Sequence, residues 1–365
     1  MEVFYDFLTL PTPHNHKFNT FAAQMKNRFP EAELEDLRQR LSRPNKIVIT
    51  THHKPDGDAM GSSLGLYHYL ASKGHMVTLV VPNDFPDFLL WMPGTEVVVD
   101  YEKAPDIAIE KIQEAELIFC LDFNAISRLE KFGPVIGNSP ADKVLIDHHL
   151  DPENIFQHAF SYTDACATSE LIYEFIVAMG DRHLLNKDIA ECLYTGIMTD
   201  TASFRFASML SNTHRIIADL MDAGAENHKI HESVYDNSSE ERLRFLGYCL
   251  GEKLRIFPEY HTAVISISKE ELSKFKNKTG DTEGIVNYGL GIKGITFAAF
   301  FAERPGIVKI SFRSKNNFSA KDFANKHFEG GGHKNAAGGK SNISLNETID
   351  KFISLLPEYK DALKE

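Results

Sequence analysis

The first half of the chain alternates between short apolar runs and longer amphipathic stretches. The apolar runs are rich in β-branched and aromatic residues, which is typical of strands buried on both faces of a parallel sheet. The predicted strands are 46–51, 76–81, 117–121 and 143–147. The predicted helices are 32–41, 59–73 and 104–115. This alternation predicts an α/β domain with a doubly wound parallel sheet.

Helical periodicity then dominates, and the pattern changes again beyond residue 256. The predicted helices of this middle part are 167–179, 187–199, 212–223 and 239–254. The later elements are strands 260–268, 295–302 and 307–313 with helices 319–327 and 345–356. We therefore predict a second, smaller α+β domain joined by a helical connector. The predicted boundaries are 1–30 for an irregular extension, 31–236, 237–256 for the connector, and 257–365.

Acidic and imidazole side chains follow several of the predicted strands and one helix. They are His52, Asp56, Asp58, Asp122, Asp147, His148, His149 and Asp200. Ligands of open parallel sheets bind beyond the carboxyl ends of the strands. Carboxylates gathered there repel one another unless cations neutralise them. The pattern therefore predicts a metal site, although a D-G-D turn such as Asp56–Asp58 taken alone is more often structural.

The residue types at these positions narrow the choice of metal. Carboxylate oxygens mixed with imidazoles suit Mn²⁺ or Mg²⁺, and they leave Fe²⁺ and Co²⁺ open. A thiolate zinc site is not expected, because the four cysteines are widely spaced and form no C-x-x-C pair. Reduced cysteines in the protein core are the simpler interpretation.

The charge distribution bears on the partners. The formal net charge is −12, which argues against a protein that coats long duplex nucleic acid. The acidic excess lies before residue 255, whereas the part after it carries more Lys and Arg than Asp and Glu. We found no apolar run of membrane-spanning length and no secretion signal, so a cytoplasmic protein without membrane contact is expected.

A glycine-rich motif in the basic second half is the other candidate site. Gly330, Gly331 and Gly332 precede His333, and Ala336–Gly339 follow shortly afterwards. Glycines can present bare backbone N–H groups to an anion, although such a run is usually a flexible turn. Arg313 follows a predicted strand and could hold a phosphate with two hydrogen bonds.

The acidic motifs resemble those of the DHH phosphoesterase superfamily. The resemblance rests on H-x-x-x-D-x-D at 52–58, the Asp in Leu-Asp-Phe-Asn, Asp-His-His at 147–149 and the Asp in Met-Thr-Asp-Thr. It implies two divalent cations, with Mn²⁺ favoured. The implied ligands of one cation are His52, Asp56 and Asp122, and those of the other are Asp58, Asp122, His148 and Asp200. Asp122 would bridge, Asp147 would orient an imidazole, and His149 would face the substrate and assist catalysis.

The second half resembles the DHH-associated C-terminal domain, whose hallmark is G-G-G-H-x-x-A-A-G after a strand ending in S-x-R-S. Together the two halves are similar to the NrnA-like subfamily, which trims very short RNA and dephosphorylates 3′-phosphoadenosine 5′-phosphate. The resemblance implies that Arg313, Gly330–Gly332 and His333 bind the substrate.

The alternatives are a cyclic-dinucleotide phosphodiesterase, a pyrophosphatase or exopolyphosphatase, and a catalytically silent nucleotide-binding regulator. The expected partner is short RNA or a small nucleotide rather than a long duplex. Whether the chain forms a homodimer stays open.

Overall fold

The computed structural model describes residues 28–205, 208–278 and 280–364, and they form two compact units. The first unit contains the described residues up to 83 together with 92–148 and 152–227. The second contains 84–91, 149–151 and the described residues from 228 onwards. The predicted irregular extension falls outside the described residues for positions 1–27.

The first unit is built on a parallel sheet of six strands in the order β3-β2-β1-β4-β5-β6. The strands are β1 Lys46–Thr51, β2 Met76–Val81, β3 Val99–Asp100, β4 Leu117–Leu121, β5 Asp142–Asp147 and β6 His158–Ser161. All neighbouring pairs run parallel. This is the strand order of a doubly wound sheet, so the predicted α/β class is confirmed.

Helices follow most of these strands and continue beyond the sheet. They are α1 Glu31–Arg40, α2 Gly57–Ser72, α3 Pro105–Glu114, α4 Gly133–Gly137, α5 Thr168–Ala178, α6 Lys187–Asp200 and α7 Ser211–Asp222. β4 is buried along its whole length, as expected for a central parallel strand. The four cysteines are buried and form no disulfide.

The second unit contains a mixed sheet in the order β11-β12-β10-β9-β8-β7. Its strands are β7 Leu254–Phe257, β8 Thr262–Ile267, β9 Phe297–Arg304, β10 Ile307–Ser314, β11 Gly331–His333 and β12 Ala336–Ser341. Only β8 and β9 pair in parallel; the other neighbours are antiparallel. Its core is rich in phenylalanine, with Phe297, Phe312 and Phe352 fully buried.

The helices of the second unit are short. They are α8 Asn227–Tyr235, α9 Glu240–Tyr248, α10 Lys269–Lys274, α11 Ile285–Leu290, α12 Ala320–His327 and α13 Leu345–Leu355. The predicted helix 239–254 ends early, because a π-helical turn at Cys249–Lys253 follows α9 and the chain then enters β7. The backbone of residues 254–257 forms hydrogen bonds with β8, so these residues cannot continue the helix. No helix in the described part of the chain is long and apolar enough to cross a membrane.

Candidate metal centre

The acidic motifs of the first unit meet at the carboxyl edge of its sheet. β1 and β4 are neighbours at the point where the strand order reverses, and the two chains leave the sheet side by side there. His52 follows β1 directly and Asp122 follows β4 directly. A crevice at such a switch point is the usual ligand site of doubly wound sheets. The topology therefore explains why motifs far apart in sequence converge.

Asp122 lies at the centre of the cluster. Its Oδ2 lies 3.4 Å from Nε2 of His52, and its Oδ1 lies 3.4 Å from Nε2 of His148. The side chain is almost fully buried. Its backbone is left-handed, with a φ of 63°, which is uncommon for a residue other than glycine. Such backbone strain concentrates at functional sites, and here it directs one carboxylate towards two imidazoles.

The first group of side chains is His52, Asp56 and Asp122. Asp56 caps the N-terminus of α2, where its Oδ1 accepts hydrogen bonds from the backbone N–H groups of Asp58 and Ala59. Its other oxygen lies 3.9 Å from Nε2 of His52. The helix cap thus holds the carboxylate so that one oxygen stays available to an ion.

The second group is Asp58, His148 and Asp200, which come from α2, the end of β5 and the end of α6. Nε2 of His148 lies 3.9 Å from Oδ2 of Asp58 and 3.6 Å from Oδ2 of Asp200. Each of the two groups has ligand atoms that all lie within 4.8 Å of one another. Since Asp122 faces both imidazoles, the two groups share it as a common member.

The orientation of both imidazoles favours a cation. Nδ1 of His52 lies 3.0 Å from the carbonyl oxygen of His53, and Nδ1 of His148 lies 3.4 Å from that of Ala165. A carbonyl can only accept, so each Nδ1 carries a proton. Nε2 then faces the carboxylates, either with a proton of its own or, when the ring is neutral, with a lone pair. Two acceptors face each other only when a proton or a cation lies between them. The donor set and its orientation therefore fit divalent cations.

The electrostatics of the cluster support the same interpretation. Burial, with the charges of Asp122 and Asp200, raises the pKa of Asp58 well above its ordinary value. Burial lowers the pKa of His52, but the hydrogen bond to Asp122 and the charge of Asp56 outweigh it and raise that pKa to about 9. The same balance raises the pKa of His148. The neighbouring carboxylates make it favourable for His52, His148 and Asp58 to keep their protons, because each proton reduces the negative charge of the cluster. Bound cations would reduce the same charge.

The N-terminus of α5 supplies contacts that sequence reasoning missed. The backbone N–H of Thr168 donates to Oδ2 of Asp58 at 2.6 Å, and that of Ser169 donates to Oδ1 at 2.9 Å. The Thr168 hydroxyl donates to Oδ1 of Asp122 at 3.0 Å. Free N–H groups at a helix N-terminus commonly bind anions. The predicted start of helix 167–179 indicated free N–H groups at this point of the chain. It did not indicate that the carboxylate of Asp58 would accept hydrogen bonds from them.

Asp147 is fully buried at the end of β5. The resemblance implies that it orients an imidazole. The Nδ1 of the adjacent His148, however, lies on the carbonyl of Ala165, so the backbone orients that ring. The role of Asp147 stays a prediction.

The remaining predicted residues belong to the second unit. His149 falls in its 149–151 segment, and its ring stacks on that of His333 with centroids 4.6 Å apart. Arg313 on β10 and His333 on β11 both lie opposite Ala336 of the intervening β12. Residues directly opposite one another across a sheet share a face. We call Arg313, Ala336 and His333 the Arg313 row.

The glycine motif forms part of a strand rather than an open turn. Gly331–His333 is β11, and Gly331 pairs with Gly338 of β12. A Cβ at Gly330 would lie 2.1 Å from the carbonyl oxygen of Gly338, so the close approach of the chains requires glycine. β11 is an edge strand. Alternate backbone N–H groups of an edge strand point away from the sheet, and these are the ones available to an anion.

Family models match both halves of the chain. Residues 46–197 match the N-terminal domain of the DHH family, and residues 260–360 match the DHHA1 domain. The first match contains most of the candidate metal-binding residues, and the second contains the Arg313 row.

Relatives match over most of the length. A Thermus thermophilus protein named bifunctional oligoribonuclease and PAP phosphatase NrnA is 29% identical over 86% of this chain and 89% of its own. A Streptococcus mutans protein, named probable bifunctional oligoribonuclease and PAP phosphatase NrnA, is 28% identical over 87% and 95%. The crystal structure of an exopolyphosphatase-related protein from Bacteroides fragilis is 41% identical, with a TM-score of 0.89, over 93% of this chain and 100% of that one.

Proposed function

This chain belongs to the DHH family of phosphoesterases, and we propose that it hydrolyses short oligoribonucleotides and 3′-phosphoadenosine 5′-phosphate with two divalent cations. The observation that carries the proposal is Asp122, whose two carboxylate oxygens face two separate imidazoles. Relatives with matching length are named for these two activities. DHH phosphoesterases depend on metal, and Mn²⁺ is the cation we propose.

The side chains of the first unit would hold the ions. His52, Asp56 and Asp122 would bind one cation, and Asp58, Asp122, His148 and Asp200 the other. When bound, the two cations would lower the pKa of water and neutralise charge on the reacting phosphate.

The chain's own contribution is to orient these donors before substrate arrives. The backbone carbonyls of His53 and Ala165 select the tautomer that presents each Nε2. The N–H groups at the start of α5 hold Asp58 with both oxygens engaged. Because these contacts come from secondary structure, little reorganisation is needed when an ion binds.

We propose that the Arg313 row and the N–H groups of Gly330–Gly332 bind a phosphate or terminus of the substrate, and that His149 assists the departing oxygen. Support comes from the register that aligns Arg313 with His333 across β12. A guanidinium can hold a phosphate with two parallel hydrogen bonds. Asp147 would orient a neighbouring imidazole ring and would not contact the substrate itself.

The proposal is tested with a substrate panel and purified protein in Mn²⁺. The panel contains a diribonucleotide, 3′-phosphoadenosine 5′-phosphate, a cyclic dinucleotide, and polyphosphate. We expect turnover of the first two, and a loss of more than about 100-fold in Asp122→Asn, beyond that of a merely orienting partner. Hydrolysis of polyphosphate alone would favour the activity named for the Bacteroides fragilis relative. Nucleotide binding without any turnover would identify a silent regulator.

Arg313→Ala separates substrate binding from chemistry in the same assay. Losing a charge-assisted hydrogen bond costs about 1.5–3 kcal/mol, which is roughly ten- to a hundredfold in kcat/KM. We expect this loss with the nucleotides and little change with bis-p-nitrophenyl phosphate, at unchanged metal content. An equal loss with both substrates would contradict the assignment.

A further inference from the structure

A cavity of about 430 Å³ opens in the second unit beside α10 and the β9–β10 hairpin. We call it the Arg304 cavity. Its polar lining includes Lys269, Lys276, Asn277, Glu303 and Arg304. Its volume lies within the range of small-molecule pockets, about 300–1,000 Å³.

Arg304 lines this cavity as an unpaired cation. It is the last residue of β9, and its guanidinium has no hydrogen-bond or ion-pair partner among the described residues. Burial lowers its pKa, and no acidic side chain offsets that effect. The adjacent Glu303 forms no ion pair with Arg304 among the described residues; one oxygen of its carboxylate accepts the backbone N–H of Lys269 at 3.1 Å. The side chain is only partly buried, so an anion in the cavity could reach the guanidinium and neutralise its charge.

Asn277 adds an unsatisfied amide to the same lining. Its side-chain nitrogen and oxygen are both buried, and within the described ranges neither has a hydrogen-bond partner. Buried amides are almost always hydrogen-bonded. Because neither amide atom is exposed to solvent, a ligand oxygen could accept from the Asn277 amide once this side chain turns towards the cavity that Arg304 also lines.

Lys276 contributes a second cation without a partner among the described residues, and its backbone conformation is unfavourable for a residue other than glycine. It follows α10 in the left-handed conformation, with a φ of 49°. Glycine or asparagine is preferred at such a position. Across the described part of the chain, the Lys276 ammonium has no carboxylate partner. A lysine here carries no stability advantage for the turn, which is consistent with a role for its charge.

The Arg304 cavity is separate from the Arg313 row. β9 and β10 are antiparallel, with Arg304 opposite Ile307 and Arg313 opposite Ala298. Arg313 lies six positions after Ile307 along β10, which is about 20 Å at ~3.4 Å per residue. The two clusters therefore lie at opposite ends of the same strand pair.

We infer that the Arg304 cavity is a binding site for a phosphomonoester, with its phosphate between Arg304 and Lys276 and an oxygen accepting from the Asn277 amide. Two unpaired cations match the charge of a phosphate dianion. The cavity exceeds the volume of a phosphate group, and Leu272 and Pro305 in its lining can contact the remaining part of the ligand. The inference does not depend on the proposed catalytic activity.

The test follows backbone amide shifts of the full-length, Mg²⁺-loaded protein by NMR during titration with inorganic phosphate and, separately, with adenosine 5′-phosphate. We expect saturating shifts for residues 269–277 and 303–306 with both probes, and tighter binding of adenosine 5′-phosphate. Arg304→Gln should weaken both by at least about tenfold. Lys276→Gly should also weaken them without lowering the melting temperature, because glycine suits the left-handed turn.

Lys293→Gln is the matched control. It removes one positive charge from an exposed residue of the same unit that does not line the cavity, and it should leave the midpoints unchanged. The inference is overturned if Arg304→Gln and Lys276→Gly saturate at the wild-type concentration, or if phosphate shifts only amides of the Arg313 row. It is also overturned if adenosine 5′-phosphate produces no shift at the cavity. No turnover is measured, so a failed catalytic proposal would leave these outcomes interpretable.

Discussion

At the scale of single residues, the carboxylate of Asp122 combines three contacts that originate in different parts of the chain. His52 and His148 face its two oxygens, and the Thr168 hydroxyl donates to Oδ1 at 3.0 Å. A carboxylate that accepts a neutral donor keeps its position while leaving lone pairs for an ion. We therefore expect Thr168 to position Asp122 rather than to bind a cation itself.

This role predicts a difference between two substitutions. Thr168→Val keeps the shape but removes the donor, and we expect the affinity for Mn²⁺ to fall roughly 10–100-fold. Thr168→Ser keeps a hydroxyl and should retain most of the affinity. Mn²⁺ binding measured by electron paramagnetic resonance checks this without any substrate. If Thr168→Val bound Mn²⁺ like the wild type, the contact to Asp122 would be only structural.

At the scale of elements, the candidate metal centre depends on the close approach of α2 and α6. A Cβ added at Gly196 would lie 1.9 Å from Oγ of Ser169 and 2.8 Å from Oδ1 of Asp58. A Cβ at Gly61 would lie 2.5 Å from the carbonyl oxygen of Cys192. Glycine at these positions lets the two helices bring Asp58 and Asp200 to one place.

Gly196→Ala should therefore damage both stability and metal binding. Overpacking of a core typically costs about 1–3 kcal/mol, and here the added methyl group meets a candidate ligand directly. Gly247→Ala is the control, because that helical glycine in α9 has no neighbour within 4 Å. It should stabilise the protein by about 0.5–1 kcal/mol. Urea unfolding and metal content are measured for both variants. If Gly196→Ala and Gly247→Ala had equal effects, the close contact of α2 and α6 would not be required for stability or metal binding.

At the scale of the whole molecule, the metal centre concentrates buried charge in a protein of net charge −12. Without cations, the folded state keeps protons on His52, His148 and Asp58, because their pKa values are raised. The unfolded chain releases those protons at lower pH. Folding of the metal-free protein is thus coupled to proton binding.

The sign of this coupling predicts how pH acts. The raised pKa of His52, about 9 against an ordinary 6.5, stabilises the metal-free fold fully below pH 6.5. That contribution is lost as the pH rises through about 9, and the raised pKa of Asp58 acts in the same direction. The melting temperature of metal-free protein should therefore fall between pH 6.5 and 9.

Bound cations replace these protons, so the increase in melting temperature on adding Mg²⁺ should grow over the same range. Scanning calorimetry of chelator-treated protein, with and without Mg²⁺, measures both effects. His52→Asn removes one titrating ring and should flatten the profile of the metal-free protein. A Mg²⁺ effect of constant size across this range would contradict the coupling.

The amino-acid sequence by itself determined the central elements and the candidate ligands. The predicted strands 46–51, 76–81 and 117–121 coincide with β1, β2 and β4. β1 and β4 are buried almost throughout and are therefore apolar runs, and β2 is buried over its last three residues. The polar residues that follow these apolar runs can therefore be recognised in the sequence as candidate ligands. The parallel alternation also sets the edge of the sheet at which those ends meet.

The tertiary structure alone decided the contacts between distant residues and the elements that have weak local preferences. β11 and β12 are rich in glycine; β12 becomes a strand because β10 supplies a partner, and β11 then pairs with β12. Thr168 meets Asp122 only because α5 packs against the sheet, and Arg304 has no ion-pair partner among the described residues although Glu303 precedes it in the sequence. A hydrophobic pattern reports the burial of each residue, whereas these contacts depend on how separate elements pack against one another.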